Sequence, residues 1–174
     1  MRAQVVWLMV ACGVALSGCG DDDSQGDDPE MGPVETGPID CAVLTLPETA
    51  HQEEVRIVTE LPTGAGGALK DGDYELVGHV RYRMMARDDD EPSFMRAALR
   101  LRRNATVLDY LYDEGSAGET PEPRGFTARV ATSGNVLALE MVCPEGRASA
   151  LTYTASAASL SIIEEDEEML FERR

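Results

Sequence analysis

The chain of 174 residues combines a strongly acidic charge with a moderate apolar content. It contains 32 Asp and Glu against 15 Lys and Arg, for a net charge of −17, and 43% of its residues are hydrophobic. This charge excludes an ordinary nucleic-acid-binding protein, because phosphate recognition needs clustered Lys and Arg. The apolar content excludes a fully disordered chain, and the length fits one folded domain with a tail.

Residues 1–18 carry the pattern of a signal peptide. Arg2 is followed by a run of uncharged residues from Val5 to Leu16, which is the arrangement of a positive n-region and an apolar h-region. The sequence Leu16-Ser17-Gly18-Cys19 resembles the lipobox of bacterial lipoproteins. The resemblance implies that the Cys19 thiol is lipidated, that the signal peptide is removed and that acyl chains anchor the mature protein. An ordinary secretory signal or a short membrane anchor is the alternative.

Residues 19–40 are predicted to form a lipidated cysteine followed by a disordered acidic linker. Residues 20–40 include eight acidic and no basic residues, so they repel one another and cannot build a core. Gly20, rather than Asp, follows Cys19, and by resemblance to enteric lipoproteins this implies sorting to the outer membrane. We therefore expect a cell-envelope protein, anchored to the membrane by its N-terminal lipid, with a folded domain at 41–174.

Two cysteines remain in the expected domain, Cys41 and Cys143. An even pair in an oxidising compartment predicts one disulfide, and two buried free thiols are the alternative. The bond would close a loop of 102 positions. Chain-entropy models give about 4–5 kcal/mol of stabilisation for a loop of this length.

Alternation of apolar and polar residues with a period of two dominates the chain from Asp73 onward and predicts an all-β fold. Residues 42–61 are ambiguous, because Ala50 begins a possible short helix while Val55 and Ile57 alternate as in a strand. On the first clear strand, Tyr74, Leu76, Val80 and Tyr82 are expected to share one face. Turn residues at short intervals predict about eight strands in an antiparallel up-and-down meander, closed into a barrel that leaves no exposed edge. The predicted strands are centred on 74–83, 96–102, 108–112, 126–130, 137–143, 148–154, 158–164 and 168–174.

The succession of these turns and strands resembles that of a known family. The segments that carry the resemblance are Asp71–Leu76, Leu99–Leu101, Ser133–Leu139, Cys143-Pro144, Leu151–Ala155 and Leu170–Arg174. They are similar to the lipocalin-like lipoproteins of predatory soil bacteria. The resemblance covers most of 67–174 and implies a lipocalin-like barrel. The Gly-x-Trp signature of true lipocalins is missing, since the only tryptophan is Trp7.

Four tyrosines are predicted to have their side chains inside the barrel. An eight-stranded barrel has room either for packed side chains or for one small ligand. The tyrosines therefore either line a ligand cavity or fill the core. They are Tyr74, Tyr82, Tyr110 and Tyr112.

Arginines stand out against the acidic background in residues 81–103, which hold seven of the 14 basic residues expected in the mature chain. If the strands that carry them pair, Arg81 and Arg83 would lie near Arg100 and Arg102 on one face. Guanidinium groups arranged in this way suit an anionic ligand or an acidic partner. A solvated outer face, neutralised by neighbouring acids, is the alternative.

The sequence contains no motif of a common enzyme class. Neither His51 nor His79 has the spacing of a zinc site, and no Gly-x-Ser-x-Gly segment occurs. We predict no catalytic residue, metal or cofactor, and a protein that is not an enzyme. Two functions remain. The first is a membrane-anchored lipoprotein that binds a small apolar ligand, and the second is a structural or protein-interaction module of the envelope with a filled barrel.

Overall fold

A computed structural model describes residues 38–86 and 93–174. The predicted all-β class is confirmed, because the described residues form nine strands in a single sheet. The signal peptide, Cys19 and the linker up to residue 37 lie outside the described residues. The strands are β1 His51–Ile57, β2 Gly72–Arg83, β3 Ser93–Arg102, β4 Val107–Ser116, β5 Arg124–Ser133, β6 Val136–Cys143, β7 Glu145–Ala155, β8 Ser159–Glu164 and β9 Glu167–Arg173.

The strands follow one another around the sheet in the order of the chain. Each neighbour from β2 to β9 pairs antiparallel with the next, as predicted for a meander. The last strand, β9, also pairs antiparallel with β2, from Tyr74 opposite Arg173 to Arg81 opposite Glu167. The pairings β2 to β9 therefore form a closed ring.

The prediction of about eight strands is corrected by β1, which lies in the ambiguous part of the sequence. Residues Glu53–Ile57 pair in parallel with the second half of β2. The preceding residues, His51 and Gln52, pair antiparallel with the beginning of β3. The residues that pair with β1 are distant from it in sequence. Local periodicity alone could therefore not identify β1 as a strand.

Alternating apolar side chains place one buried core on the inner face of the ring. On β3, for example, Ala97, Leu99 and Leu101 are buried while Arg96 and Arg100 remain partly exposed. Burial of such a face is the main favourable contribution to folding. The largest core side chains come from many strands and include Leu76, Leu108, Leu137, Tyr153, Leu160 and Phe171.

A β-bulge changes which side chains of β2 point inward. The register against β9 shifts between Leu76 and Gly78, so that Leu76 lies opposite Phe171 and His79 lies opposite Met169. Both β9 residues belong to the core, which places His79 on the inner face. An extra residue reverses the alternation that follows it. Val80 and Tyr82 are therefore on the outer face, and the expectation that they share a face with Tyr74 is wrong.

The predicted disulfide is present between Cys41 and Cys143, whose Cα atoms are 5.7 Å apart. It fastens the segment before β1 to the end of β6. Hydrogen bonds also hold this segment: Arg102 Nη2 donates to the carbonyl of Asp40 at 2.8 Å, and Arg103 Nη2 donates to that of Pro38 at 2.8 Å. The N-terminal part of the domain is thus attached near the β3–β4 turn.

The β3–β4 turn is held in an unusual conformation. Arg103, Asn104 and Ala105 have φ angles of 58°, 57° and 57°, a left-handed region that side chains other than glycine rarely adopt. The carboxylate of Asp71 accepts the backbone N–H groups of Asn104 at 3.0 Å and of Ala105 at 2.6 Å. These two bonds offset part of the conformational cost of the turn.

We expect Asp71→Ala to lower the free energy of unfolding by about 1–3 kcal/mol, because two backbone donors in the turn lose their acceptor. The matched control is Asp73→Ala, whose carboxylate pairs with Arg100 at an exposed position. Exposed pairs contribute only about 0–1 kcal/mol. Urea unfolding followed by circular dichroism measures both variants. Equal losses would contradict the role assigned to Asp71.

Candidate functional site

The structure separates the four predicted tyrosines into three environments. Tyr110 stacks on Tyr112 with ring centroids 5.3 Å apart, and both lie against the core from the inner face. Tyr74 is buried in the core, and its hydroxyl donates to the carbonyl of Lys70 at 2.8 Å. Tyr82 is on the outer face, where its hydroxyl donates to the carboxylate of Glu168.

The inner aromatic side chains form one packed cluster. The Tyr110 ring lies 5.4 Å from Phe126 and 6.2 Å from Phe171, in addition to its stacking on Tyr112. The Tyr110 hydroxyl contacts Met169 Sδ at 3.3 Å. Burial raises the pKa of Tyr110, as do the nearby Tyr112 and Glu164. These residues, Tyr110, Tyr112, Phe126 and Phe171, are called the aromatic cluster below.

The structure does not bring the four predicted arginines together, which corrects the expectation of a shared face. Asp73, at the start of β2, lies opposite Arg100 of β3, whereas Arg81 and Arg83 lie at the other end of β2 beside β1. Each arginine also has an acidic partner: Arg100 pairs with Asp73 and Arg83 with Asp166. An anion would have to compete with these carboxylates.

Arg102 belongs to a hydrogen-bonded network on the outer face that includes the buried residues Asp109 and Thr127. It holds Asp109 through two bonds, Nε to Oδ2 at 2.7 Å and Nη2 to Oδ1 at 3.0 Å. The hydroxyl of Thr127 donates to the same carboxylate at 2.9 Å. Asp109 is 1% exposed, so this network is structural, since losing one partner of a buried charge is costly.

A polar cluster inside the ring was not predicted from the sequence. Arg81 pairs with Glu53, Nε to Oε1 at 2.9 Å, and with Glu167. His79 Nε2 lies 3.5 Å from Glu167 Oε2, and Ser93 donates to Glu53 at 2.7 Å. His79, Glu53, Arg81 and Glu167 are called the inner polar cluster below. The glycine at position 78 was the available signal, because an isolated glycine in a strand often marks a bulge.

Two glutamates of the β8–β9 hairpin have pKa values shifted in opposite directions. Hydrogen bonding to His79 and attraction to Arg81 lower the pKa of Glu167 below its ordinary value of 4.5, although burial opposes this. Burial and the neighbouring Glu165 and Glu167 raise the pKa of Glu164. The inner polar cluster therefore stabilises the charge on Glu167, while Glu164 lacks such compensation.

The chemistry of the inner polar cluster is that of compensated charge. Glu167 already accepts a hydrogen bond from Arg81, and Glu53 forms an ion pair with the same guanidinium group, so each carboxylate has a compensating positive charge beside it. Among the described residues no group of three or more His, Cys, Asp or Glu is placed to hold a metal ion. The cluster is a partly buried ion-pair network, with His79 and Glu53 buried and Arg81 and Glu167 partly exposed, that links β1, β2 and β9.

Surface grooves surround the ring. One of about 390 Å³ lies between Glu48 of the N-terminal segment and Phe94, beside Pro121. Another of about 600 Å³ lies beside Tyr112 and Arg124. These two grooves open to solvent, and Tyr112 is the one predicted tyrosine that lines either of them.

Comparisons with known proteins identified no relative of this chain. Searches against family models, curated proteins and solved structures found no match. In the described part of the chain, no helix has the length and apolar character needed to cross a membrane.

At neutral pH we expect Glu167→Gln to lower the free energy of unfolding and Glu164→Gln to raise it. With its lowered pKa, charged Glu167 stabilises the fold above its unfolded-state pKa, and this contribution is lost as pH falls through the folded-state pKa. With its raised pKa, Glu164 has the opposite effect, and ionising it destabilises the fold as pH rises through its folded-state pKa.

Urea unfolding of both variants at neutral and at acidic pH tests this pair, and each variant serves as the control for the other. The two differences from the parent protein should shrink once both carboxyl groups are protonated. Effects of the same sign at neutral pH would contradict the assigned electrostatics.

Proposed function

We propose that this chain is a lipid-anchored lipoprotein of the cell envelope whose folded domain is a filled, lipocalin-like β-barrel. In this proposal the barrel has no catalytic role and acts through its outer surface as a structural or protein-interaction module. The closed ring of pairings between β2 and β9 supports the barrel. The order of strands and turns resembles that of lipocalin-like lipoproteins, and this supports the proposed relation to that family.

The observation that carries this proposal is the packing of the aromatic cluster. Tyr110 and Tyr112, the residues that would line a ligand cavity, stack on each other, and the Tyr110 ring also packs against Phe126 and Phe171. A ligand at that position would have to displace these contacts. Rings at these separations are worth about 0.5–1.5 kcal/mol per pair beyond their burial.

A small-ligand carrier remains the second candidate, because Tyr110 and Tyr112 stay partly exposed although they face inward. In that case the ligand would bind at the open side of the aromatic cluster rather than within the core. An apolar or amphipathic molecule would suit the aromatic rings, and the hydroxyls would contact its polar end.

Native mass spectrometry of the mature protein, released from membranes in detergent, separates the two candidates. A filled barrel predicts the mass of the polypeptide with its covalent lipid and no further mass that leaves on denaturation. A non-covalent molecule that is lost on denaturation, and that is absent from a Tyr110→Ala variant, would favour the carrier instead. Tyr82→Ala is the matched control, because that ring lies on the outer face.

The membrane anchor is tested separately at Cys19. We expect Cys19→Ser to abolish acylation and to move the mature protein from the membrane fraction to the soluble fraction, or to block its export. Cys12→Ser, a change within the signal peptide, is the control and should leave fractionation unchanged. A Cys19→Ser protein that matures and partitions like the parent would overturn the lipoprotein assignment.

A further inference from the structure

The pairing around the ring is incomplete where β7 continues beyond the end of its neighbour β8. Strand β6 pairs with β7 along residues 145–152, whereas the pairing of β8 with β7 stops at Thr152. Strand β8 ends at Glu164, and the chain then turns at Glu165 into β9. Residues 148–151 therefore have β6 on one side, and no described residue pairs with them on the side of β8. These four residues are called the β7 edge below.

The backbone of the β7 edge has unused groups on the side of β8. The N–H of Tyr153 donates to the carbonyl of Asn135, directly before β6, so the odd-numbered residues of β7 direct their backbone groups toward β6. Because these directions alternate along a strand, the N–H and C=O groups of Ala148 and Ala150 point to the side of β8. No described residue forms a hydrogen bond with them there. Unpaired edges of this kind are templates for the addition of a strand.

A groove of about 420 Å³ lies beside the β7 edge. It is lined by Ala150 and Leu151 of the edge and by Ile163, close to the end of β8. Leu61 and Pro62, from the segment after β1, add further apolar surface. A strand added beside β7 would place its side chains against these apolar groups, as in other cases of strand addition.

The same groove carries uncompensated negative charge. Glu164 and Glu165 both line it. The next two residues of the hairpin, Asp166 and Glu167, pair with arginines, whereas no described cation pairs with Glu164 or Glu165. An occupant with lysine or arginine side chains would supply the missing positive charge.

Other parts of this chain have the wrong charge to occupy the groove. Residues 20–37 contain seven acidic residues and no Lys or Arg, and residues 87–92 contain four acidic residues and one arginine. A second copy of the β7 edge would bring its own Glu164 and Glu165 with it. Like charges brought together in this way oppose binding. The occupant is therefore sought in another molecule.

We propose that the β7 edge binds an extended, basic segment of a partner protein, which is added as a strand antiparallel to β7 beyond the end of β8. The inference rests on the interaction module proposed above and deepens it by naming the chemistry of the partner. Backbone hydrogen bonds to Ala148 and Ala150 provide affinity, while Glu164 and Glu165 select for Lys or Arg.

Amide hydrogen exchange, resolved by NMR on the mature protein in detergent, tests the proposal. The probe is a short peptide of alternating lysine and valine with blocked ends. At saturation it should slow exchange of the Ala148 and Ala150 amides by at least about tenfold. The amides of Ser149 and Leu151, which lie opposite β6, are the internal control and should not change. Absence of binding, or binding without this alternation, would overturn the proposal.

A second probe separates strand addition from simple attraction between charges. The same peptide with every backbone amide N-methylated keeps its lysines but cannot donate to the carbonyls of the β7 edge. It should bind at least about tenfold more weakly than the unmodified peptide. Equal binding of the two peptides would overturn the proposal.

The charge requirement is tested by Glu164→Gln, which should weaken binding of the unmodified peptide about threefold to tenfold. Glu172→Gln is the matched control, because Glu172 is exposed on β9, outside the groove, and the change in net charge is the same. Equal losses in the two variants would contradict the role of the groove. Failure of the peptide to bind would leave the native mass and the Cys19→Ser fractionation unaffected. Failure of this inference is therefore distinguishable from failure of the proposed function.

Discussion

Strand β2 holds the ring closed, because its twelve residues pair with β9 as well as with β1 and β3. Its first half lies between β3 and β9, and its second half lies between β1 and β9. The pairing of β9 with β2 joins the two ends of the meander, so that eight consecutive strands satisfy each other's backbone groups. A change that weakened the pairing of β2 would therefore both open the ring and detach β1.

The bulge after Leu76 allows this one strand to serve two environments. Before it, Tyr74 and Leu76 contribute to the apolar core, and after it His79 and Arg81 contribute to the inner polar cluster. The interior is consequently apolar at one end and ionic at the other. Both parts contain side chains that contact each other, and this supports the proposal of a filled interior over that of a ligand carrier.

The sequence was sufficient for the features that depend on local pattern or on simple counting. Alternation predicted strands β2 to β9 and their antiparallel order, and the even number of cysteines predicted the Cys41–Cys143 bond. The features that depend on the pairing register of the strands could not be predicted from the sequence. One extra residue near Gly78 moved Val80 and Tyr82 to the outer face, and the strand pairing placed Arg100 against Asp73 rather than near Arg81. Predicting the inner polar cluster would have required both the bulge and the strand pairing. Glu53 reaches Arg81 only through the parallel pairing of β1 with β2.

The position of the disulfide also determines how mechanical load enters the domain. Any pull on the chain before Cys41 passes through the covalent bond to Cys143, at the end of β6. Strand β6 is paired on both sides, with β5 and β7, along most of its length. Without the bond, the same pull would travel along residues 42–50 to β1, which has five paired positions with β2 and two with β3. The disulfide therefore keeps tension applied to the chain before Cys41 away from β1, which has the fewest pairings among the described strands.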